Sequence, residues 1–493
     1  MFKYESFEPS HFVAFLKQGL FDEEINRVLS RFNAYVPQVQ YELIKYIKLK
    51  SLPHLSIKVL GEALEVSQED ARRLVLNPCK EFKVIVTENC RAKLVRGLVI
   101  PGISKVITNN DCIKRYLNTI YRWYGEGFAV FFDAHFRSCS FMLPLAVALC
   151  VKSIPEDVIF TGKIDERGNL LEIDDLEIKC KFAREINCRL ITPLHFSNVA
   201  HIKSFLERQK WDIPFYITCG ELKELDAFWE ATPLKQIYKG LRFFEALELF
   251  YNLKKEDFCI ITGQLEEMKH WKQQCVRFCK KVCDIKNTIF GEKLFHFGIN
   301  GPATLAFSLG ILWGSQEPFY IYHYQSGKYH QISVSDPREL KERVKHRKLI
   351  EFEFYPGGRD LAVFLQLAHH EILLDAKSYI EHKLNSPSYL LISHITSENV
   401  GIFEFKEIVR EIASLIQDIR REYTFNNFHF FFSCPVPIAF MLGVAFGHYA
   451  DGVVYNYQKQ DHVYIPVMEL KFLRKLREDK DQVEESYAYG MEN

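Results

Sequence analysis

The chain has no excess charge of either sign: over 493 residues, 63 lysines and arginines balance 63 aspartates and glutamates. A neutral chain projects no field that would gather duplex nucleic acid or an anionic membrane, so any anionic ligand must be held by local geometry. No G-x-x-x-x-G-K-[ST] loop occurs, which excludes a P-loop motor. The thirteen cysteines include no C-x-x-C pair. Cys275, Cys279 and Cys283 fall at i, i+4 and i+8, the spacing of small residues packed along one helix face, and no metal site is expected. An odd, scattered set of thiols and a charged start (Lys3, Glu5, Glu8) without a secretory pattern lead us to expect reduced cysteines and a cytoplasmic location. Two stretches, 297–316 and 430–447, carry no acidic or basic residue over about the length of a bilayer span. Each reads instead as a strand, a Gly/Pro turn and an apolar helix of a buried α/β layer, so no membrane span is expected.

Those two stretches belong to a duplication. With a constant offset of 133 and no gaps, residues 295–325 and 428–458 share twelve identities in 31 positions, where ordinary composition would give roughly two. Phe-His-Phe at 295–297 recurs at 428–430, Pro302 as Pro435, Leu309-Gly310 as Leu442-Gly443, and Tyr322 and Tyr324 as Tyr455 and Tyr457. Two copies imply a pseudo-two-fold unit that can hold a ligand of matching symmetry.

The length suggests about three domains. Residues 1–81 read as a helical bundle, with short helices at 10–18, 22–32, 38–48, 57–63 and 67–76. The helix, turn, helix pattern at 57–75 has only Arg72 and Arg73 as basic groups on its second helix, which favours docking over DNA reading. From 82 to 220 strands and helices alternate. From 240 to 493 two Rossmann-like halves, about 250–384 and 385–493, run in a common order, with first strands at 258–262 and 389–394. The expected class is α/β, α+β overall.

Between 138 and 193 a run of landmarks stands out: Ser138-Cys139-Ser140 opening an apolar helix, Ile154-Pro155-Glu156-Asp157-Val158, Thr161-Gly162-x-Ile164-x-x-Arg167-Gly168, Leu176-Glu177-x-Lys179, Ala183-Arg184-x-x-x-Cys188 and Thr192-Pro193. This run resembles the proteolytic domain of Lon proteases. The resemblance implies a serine nucleophile at the start of the apolar helix, matching Ser138, and a lysine general base, matching Lys179. Ser140 is the alternative nucleophile, and only one of the two serines can face Lys179. An ammonium near pKa 10.4 takes no proton at neutral pH, so the base must give up its own about a thousandfold more readily, about 4 kcal/mol. Burial by Leu176, Ile178 and Phe182 would supply that. Asp175, four residues earlier, would instead make an ordinary helix pair favouring the charged form.

The duplicated half, with its repeated Phe-His-Phe, Pro and Leu-Gly, its two Tyr-x-Tyr pairs and Asp360-Leu361-Ala362-Val363 leading to His369-His370, resembles the SAVED domain, two fused CARF-like sensors of cyclic oligonucleotides. Each copy ends a strand in a turn, Ile299-Asn300-Gly301-Pro302 or Ser433-Cys434-Pro435, and opens a helix there, where backbone amides suit phosphate. Four phosphates at about 0.3–1 kcal/mol each give at most about 4 kcal/mol, a millimolar binder. Stacking adds roughly 1–3 kcal/mol per base, so Thr262, Tyr324, His369, His394 and Tyr457 are expected to join the turn residues on the ligand.

A Lon-like domain and a SAVED domain in one chain resemble the CRISPR-associated Lon protease (CalpL) family. The resemblance implies an effector of type III CRISPR antiviral signalling that uses no ATP and no cofactor. Cyclic tetra-adenylate would bind the SAVED half, promote head-to-tail homo-oligomerisation and switch on cleavage of a partner protein encoded nearby. Alternatives are a CBASS effector sensing a cyclic trinucleotide, a catalytically inactive scaffold, and a DNA-binding regulator.

Overall fold

The computed structural model describes residues 8–478 except 222, 238–241, 369–371, 374, 377–379, 381–383, 385, 397–399, 448–449 and 460. It divides into two compact units, Met1–Arg208 with Gly240–Asn252, and Gln209–Lys239 with Leu253–Asn493. No helix among the described residues is long and apolar enough to cross a membrane.

In the N-terminal unit, β1 (Lys80–Glu88), β2 (Arg91–Ile103), β3 (Ile107–Thr108) and β4 (Gly127–Phe132) form a sheet of order β1-β2-β4-β3. The β1/β2 hairpin turns through Asn89-Cys90, both with positive φ (49° and 59°), which suits the right-handed twist of paired strands. Residues alternate across each strand. Leu98, Ile100, Ala129 and Phe131 therefore point to one face, where they join a single core with Phe12, Leu16, Ile25, Leu29, Ile44 and Leu60 of the preceding helices. The expected division near residue 81 is accordingly not a boundary between compact units: the helices and this sheet face share one core. Two small sheets follow, β5 (Val158–Phe160) with β8 (Arg189–Ile191), and β6 (Lys163–Ile164) with β7 (Leu170–Leu171).

The second expected boundary, at 220, also moves. Strand β9 (Lys210–Thr218) lies between β10 (Cys259–Ile261) and β11 (Glu292–Asn300), in a sheet that continues through β12 (Phe319–Gln325) and β13 (Lys328–Val334), in the order β10-β9-β11-β12-β13. It pairs with β11 over nine residues, from Lys210 opposite Glu292 to Thr218 opposite Asn300. The second sheet holds β14 (Ile350–Tyr355), β15 (Gly358–Gln366), β16 (Pro387–His394), β17 (Asn427–Ser433), β18 (Gly452–Gln458) and β19 (Val463–Glu469), in the order β14-β16-β15-β17-β18-β19. Apart from β14 the two orders are the same. The first strands of the copies are thus β9 and β15, and the strands expected to come first, at 258–262 and 389–394, are the second ones. Because β14 and β15 pair only within the second sheet, the copies divide between β13 and β14, well before residue 384.

The copies exchange helices. Phe307, on the first copy's helix Ala303–Trp313, packs on Phe430 of the second sheet, ring centroids 4.8 Å apart. Phe440, on the second copy's helix Val436–Phe446, packs on Phe297 of the first, at 5.3 Å. The two helices cross at Gly310 and Gly443. A Cβ at Gly310 would lie 2.0 Å from the Phe440 carbonyl oxygen, and one at Gly443 would lie 2.1 Å from that of Phe307. Backbone cannot yield as a side chain tip can. Gly310→Ala and Gly443→Ala are therefore each expected to destabilise the C-terminal unit by about 1–3 kcal/mol or more, read as a lowered denaturation midpoint, and Gly327→Ala, where the added carbon meets nothing within 4 Å, serves as the strain-only comparison.

Candidate active site and ligand cavity

Ser138 and Lys179 line one cavity of about 630 Å³ in the N-terminal unit. The loop after β4 carries the serine and is pinned at both ends. Asn110 Nδ2 donates to Phe136 O at 3.0 Å. Farther on, Gly162 N donates to Ser140 O at 3.2 Å while Leu143 N donates back to Gly162 O at 3.0 Å. These bonds tie the Thr161-Gly162 turn to the start of the helix Met142–Cys150, all but the last of whose residues are buried.

Lys179 sits on the helix Leu176–Glu185 and is only 2% exposed. Burial, the largest influence, lowers its pKa, while the charges of Asp175, Cys139 and Asp174 oppose that shift. The Asp175 carboxylate, the largest of these opposing influences, is also tied to a neighbour. Asp175 caps the helix with φ 58°, and its Oδ2 accepts from Thr87 Oγ1 at 2.7 Å. The Lys179 ammonium donates to the Asp174 carbonyl oxygen at 3.1 Å.

The two serines are distinguished by burial. Ser140 is 0% exposed, whereas Ser138 opens on the cavity. Ser140 Oγ lies 3.3 Å from Ile85 O, to which it can donate, and the two hydroxyls meet at 2.8 Å, where either can be the donor. Ser138 Oγ also accepts from Ser140 N at 3.2 Å. In this structure Ser138 Oγ is therefore engaged with Ser140.

The C-terminal unit has a cavity of about 550 Å³ at the point where the first sheet's strand order reverses, beyond the carboxyl ends of β9 and β11. Tyr216, Tyr322, Tyr324 and Tyr329 line it, with Asn300, Gly301 and Glu224. Val436 and Pro437, at the start of the other copy's helix, close it. Tyr324 is 62% exposed and its ring lies 5.0 Å from that of Tyr329. Glu224 Oε2 accepts from Thr218 Oγ1 at 2.7 Å and from Asn300 Nδ2 at 3.0 Å, which fixes the carboxylate, and Oε1 lies against Gly220.

Of the ligand residues expected from sequence, Asn300, Gly301 and Tyr324 come together here. Pro302 caps the helix Ala303–Trp313. Thr262 bonds Cys219 Sγ at 3.1 Å and Gly263 O at 3.0 Å. His394 Nδ1 meets Thr396 Oγ1 at 2.9 Å, and Tyr457 OH meets His462 Nδ1 at 2.9 Å. Ser433 O accepts from Leu367 N at 2.8 Å, and burial pushes the Cys434 thiol up to about 12. None of these lines the described cavity, and His369 lies outside the described residues. Sequence reasoning missed Tyr216, Glu224 and Tyr329: β9 with Tyr216 falls inside the expected 82–220 domain, and the helix Lys223–Ala231 with Glu224 falls in the stretch between the expected domains.

The repeated Phe-His-Phe places a buried histidine between two neighbours in each sheet. His296 Nδ1 meets Tyr322 OH at 2.8 Å and Nε2 meets Asp212 Oδ1 at 3.0 Å. His429 Nδ1 meets Tyr455 OH at 3.1 Å, with Asp360 Oδ2 3.6 Å from Nε2. Burial lowers both histidine pKa values against the pull of the aspartates.

Residues 326–470 match the family model for SAVED, the SMODS-associated and fused to various effectors sensor domain. Among solved structures, the Acinetobacter baumannii Cap4 SAVED/CARF-domain containing receptor with the cyclic trinucleotide 2'3'3'-cAAA is similar at 15% identity and a TM-score of 0.38, with 55% of each chain covered. The Moraxella osloensis Cap4 receptor is similar at 13% identity and a TM-score of 0.32, covering 55% of this chain and 53% of that one. The chain thus spans about half the length of the solved structures it matches. No curated protein matches the chain in sequence. The C-terminal part of the chain carries a SAVED domain.

Proposed function

We propose that the chain is a protease with a Ser138–Lys179 dyad, activated when its SAVED domain binds a cyclic oligoadenylate, with cyclic tetra-adenylate as the activator. The observation that carries the enzymatic half is an amine almost wholly removed from water, its pKa lowered, lining the same cavity as an accessible serine. In the reaction, neutral Lys179 Nζ takes the Ser138 proton as Oγ attacks the peptide carbonyl carbon. The resulting ammonium returns that proton to the departing amine, and a water activated by Lys179 then hydrolyses the acyl-serine. Before attack, Ser138 must leave its bond to Ser140 and turn to Lys179, a step that ligand-driven head-to-tail association would control. With no nucleotide-driven motor motif in the chain, the cut falls on a segment already exposed on a partner protein. The sensing half is supported by four tyrosines around the switch-point cavity, which suit stacked bases.

With cyclic tetra-adenylate present, Ser138→Ala is expected to abolish peptide hydrolysis and labelling by a serine-directed fluorophosphonate. Lys179→Met should lower hydrolysis by about 10²–10⁴-fold, whereas Ser140→Ala, removing two neutral hydrogen bonds to Ser138 Oγ and Ile85 O but no group of the dyad, should stay within about tenfold of wild type. Full loss in Ser140→Ala with retention in Ser138→Ala would reverse the assignment.

The base acts only when neutral and burial lowers its pKa, so activity should rise with pH along a limb centred below the ordinary lysine value near 10.4. A rate profile from pH 6 to 10 checks this, and a limb that persists in Lys179→Met would count against Lys179.

Tyr324→Ala is expected to weaken cyclic tetra-adenylate binding by about 10–100-fold, the loss of one stacked base, by calorimetry. A panel of cyclic tri-, tetra- and hexa-adenylates, with mass measured by light scattering, decides the ring size and whether the active species is an oligomer.

A further inference from the structure

A second cavity of the N-terminal unit, about 640 Å³, has no part in either half of that proposal. Phe32, Asn33, Tyr35 and Leu64 of the N-terminal helices and their connections form one wall, and the segment from Lys105 to Cys112 forms the other. Cys112 and His135 line both this cavity and the one holding Ser138, so the two adjoin.

Asn110 gives the second cavity its chemistry. It is 0% exposed, its Nδ2 is engaged by Phe136 O, and its Oδ1 has no hydrogen-bond partner among the described residues. A buried acceptor left unpaired calls for a donor from outside. Beside it, β3 is the edge strand of its sheet, paired on one side only, with β4. The segment is also stitched to the one that leads to Ser138. Asn109 Nδ2 donates to Phe132 O at 2.8 Å, Phe132 N donates to Asn109 Oδ1 at 2.9 Å, and His135 Nε2 meets Asn109 O at 2.8 Å.

We propose that this cavity is a remote subsite for the polypeptide substrate, taking a donor-bearing residue beyond the pair that flanks the scissile bond. The proposal rests on the protease reading of Ser138 and Lys179. Continuity with the catalytic cavity favours the chain being cut as the occupant. The charge of the lining agrees: Glu65 and Asp111 offset Lys105 and Lys114, which suits a peptide and opposes a nucleic acid strand. A peptide N–H or a side-chain amide or ammonium supplies the donor that Asn110 Oδ1 lacks, and free backbone groups of β3 can pair with an extended segment. A protease without a motor must choose its substrate by its own contacts, and this gives the N-terminal helices a part in that choice.

The test uses the full chain with cyclic tetra-adenylate and a proteome-derived peptide library, with products sequenced by mass spectrometry and Ser138 labelled in parallel by a fluorophosphonate. Asn33, exposed at the rim, is replaced by tryptophan to occlude the cavity; Val36→Trp, an exposed site outside the lining, is the size-matched control. Wild type should show a residue preference outside the flanking pair. Asn33→Trp should erase that preference and lower library cleavage about tenfold relative to labelling, and Val36→Trp should keep both. An unchanged preference in Asn33→Trp overturns the subsite, as does an equal fall in cleavage and labelling, which would report damage to the Ser138 loop. Wild type that labels and cleaves without any remote preference overturns the subsite and leaves the protease reading standing. Wild type that neither labels nor cleaves with any of the cyclic tri-, tetra- and hexa-adenylates removes the protease reading, and the subsite with it.

Discussion

The close crossing of two helices at Gly310 and Gly443 is the constraint on which the C-terminal unit depends. Each helix reaches the opposite copy's sheet only because backbone meets backbone at that point. Once they cross, Phe307 and Phe440 are placed in exchanged positions against Phe430 and Phe297, and the start of the helix Val436–Phe446 is carried to the open end of the first sheet. The cavity there is consequently a joint product of both copies, strand ends from one and a helix start from the other. A side chain at either glycine would force the helices apart and withdraw that wall. The duplication therefore builds the site by exchange, and residues at matching positions need not meet.

The N-terminal unit is governed by a different constraint, the removal of one amine from water. Desolvation disfavours the ammonium form, and three nearby groups resist it. Their resistance is limited by geometry: Asp175 is committed to Thr87, and Asp174 offers Lys179 its carbonyl oxygen. A neutral oxygen supports the amine as a donor in either protonation state, whereas a carboxylate at that place would hold the charge and oppose proton abstraction.

Much of this was legible in the sequence, and the losses have physical reasons. Continuous apolar character with Gly/Pro punctuation located β4, β11 and β17 and the helices that follow the last two, because burial on both faces leaves no polar alternation to confuse. The domain edges were not legible. The copies match without gaps only from β11 and β17 onward; before them, the first copy carries the segment Gly240–Asn252, which returns to the N-terminal unit, so β9 could not be aligned with β15. The β1/β2 hairpin was hidden because Asn89-Cys90 lacks the glycine that usually marks such a turn. The histidine of Phe-His-Phe was visible as a motif, but its buried ties to Asp212 and Tyr322 join three strands, and only pairing register reveals them. Ser138 and Ser140 could not be separated by spacing, since what distinguishes them is burial and the bond to Ile85 O.

Under the proposed function, the composition of the cavity at the first sheet's strand-order reversal restricts how a cyclic oligonucleotide would be held there. No lysine or arginine is among its described lining residues, and it contains a carboxylate. A phosphate placed against Glu224 would be repelled at close range, and the chain's neutral total charge offers no compensating field. Phosphates are therefore better placed toward the helix start at Val436, where the helix dipole favours an anion, although Pro435 and Pro437 carry no N–H and the amides of Ile438 and Ala439 already donate to Pro435 O at 3.0 and 3.2 Å. The tyrosine wall is then left for bases. Glu224, fixed through Oε2 by Thr218 and Asn300, presents Oε1 as an acceptor. Adenine carries a donor in its exocyclic amine, and uracil has no such group. A carboxylate that would be a defect in a phosphate site is consistent with a site that reads an amino-bearing base, and under the proposed function it would supply discrimination while stacking supplies the larger part of the affinity.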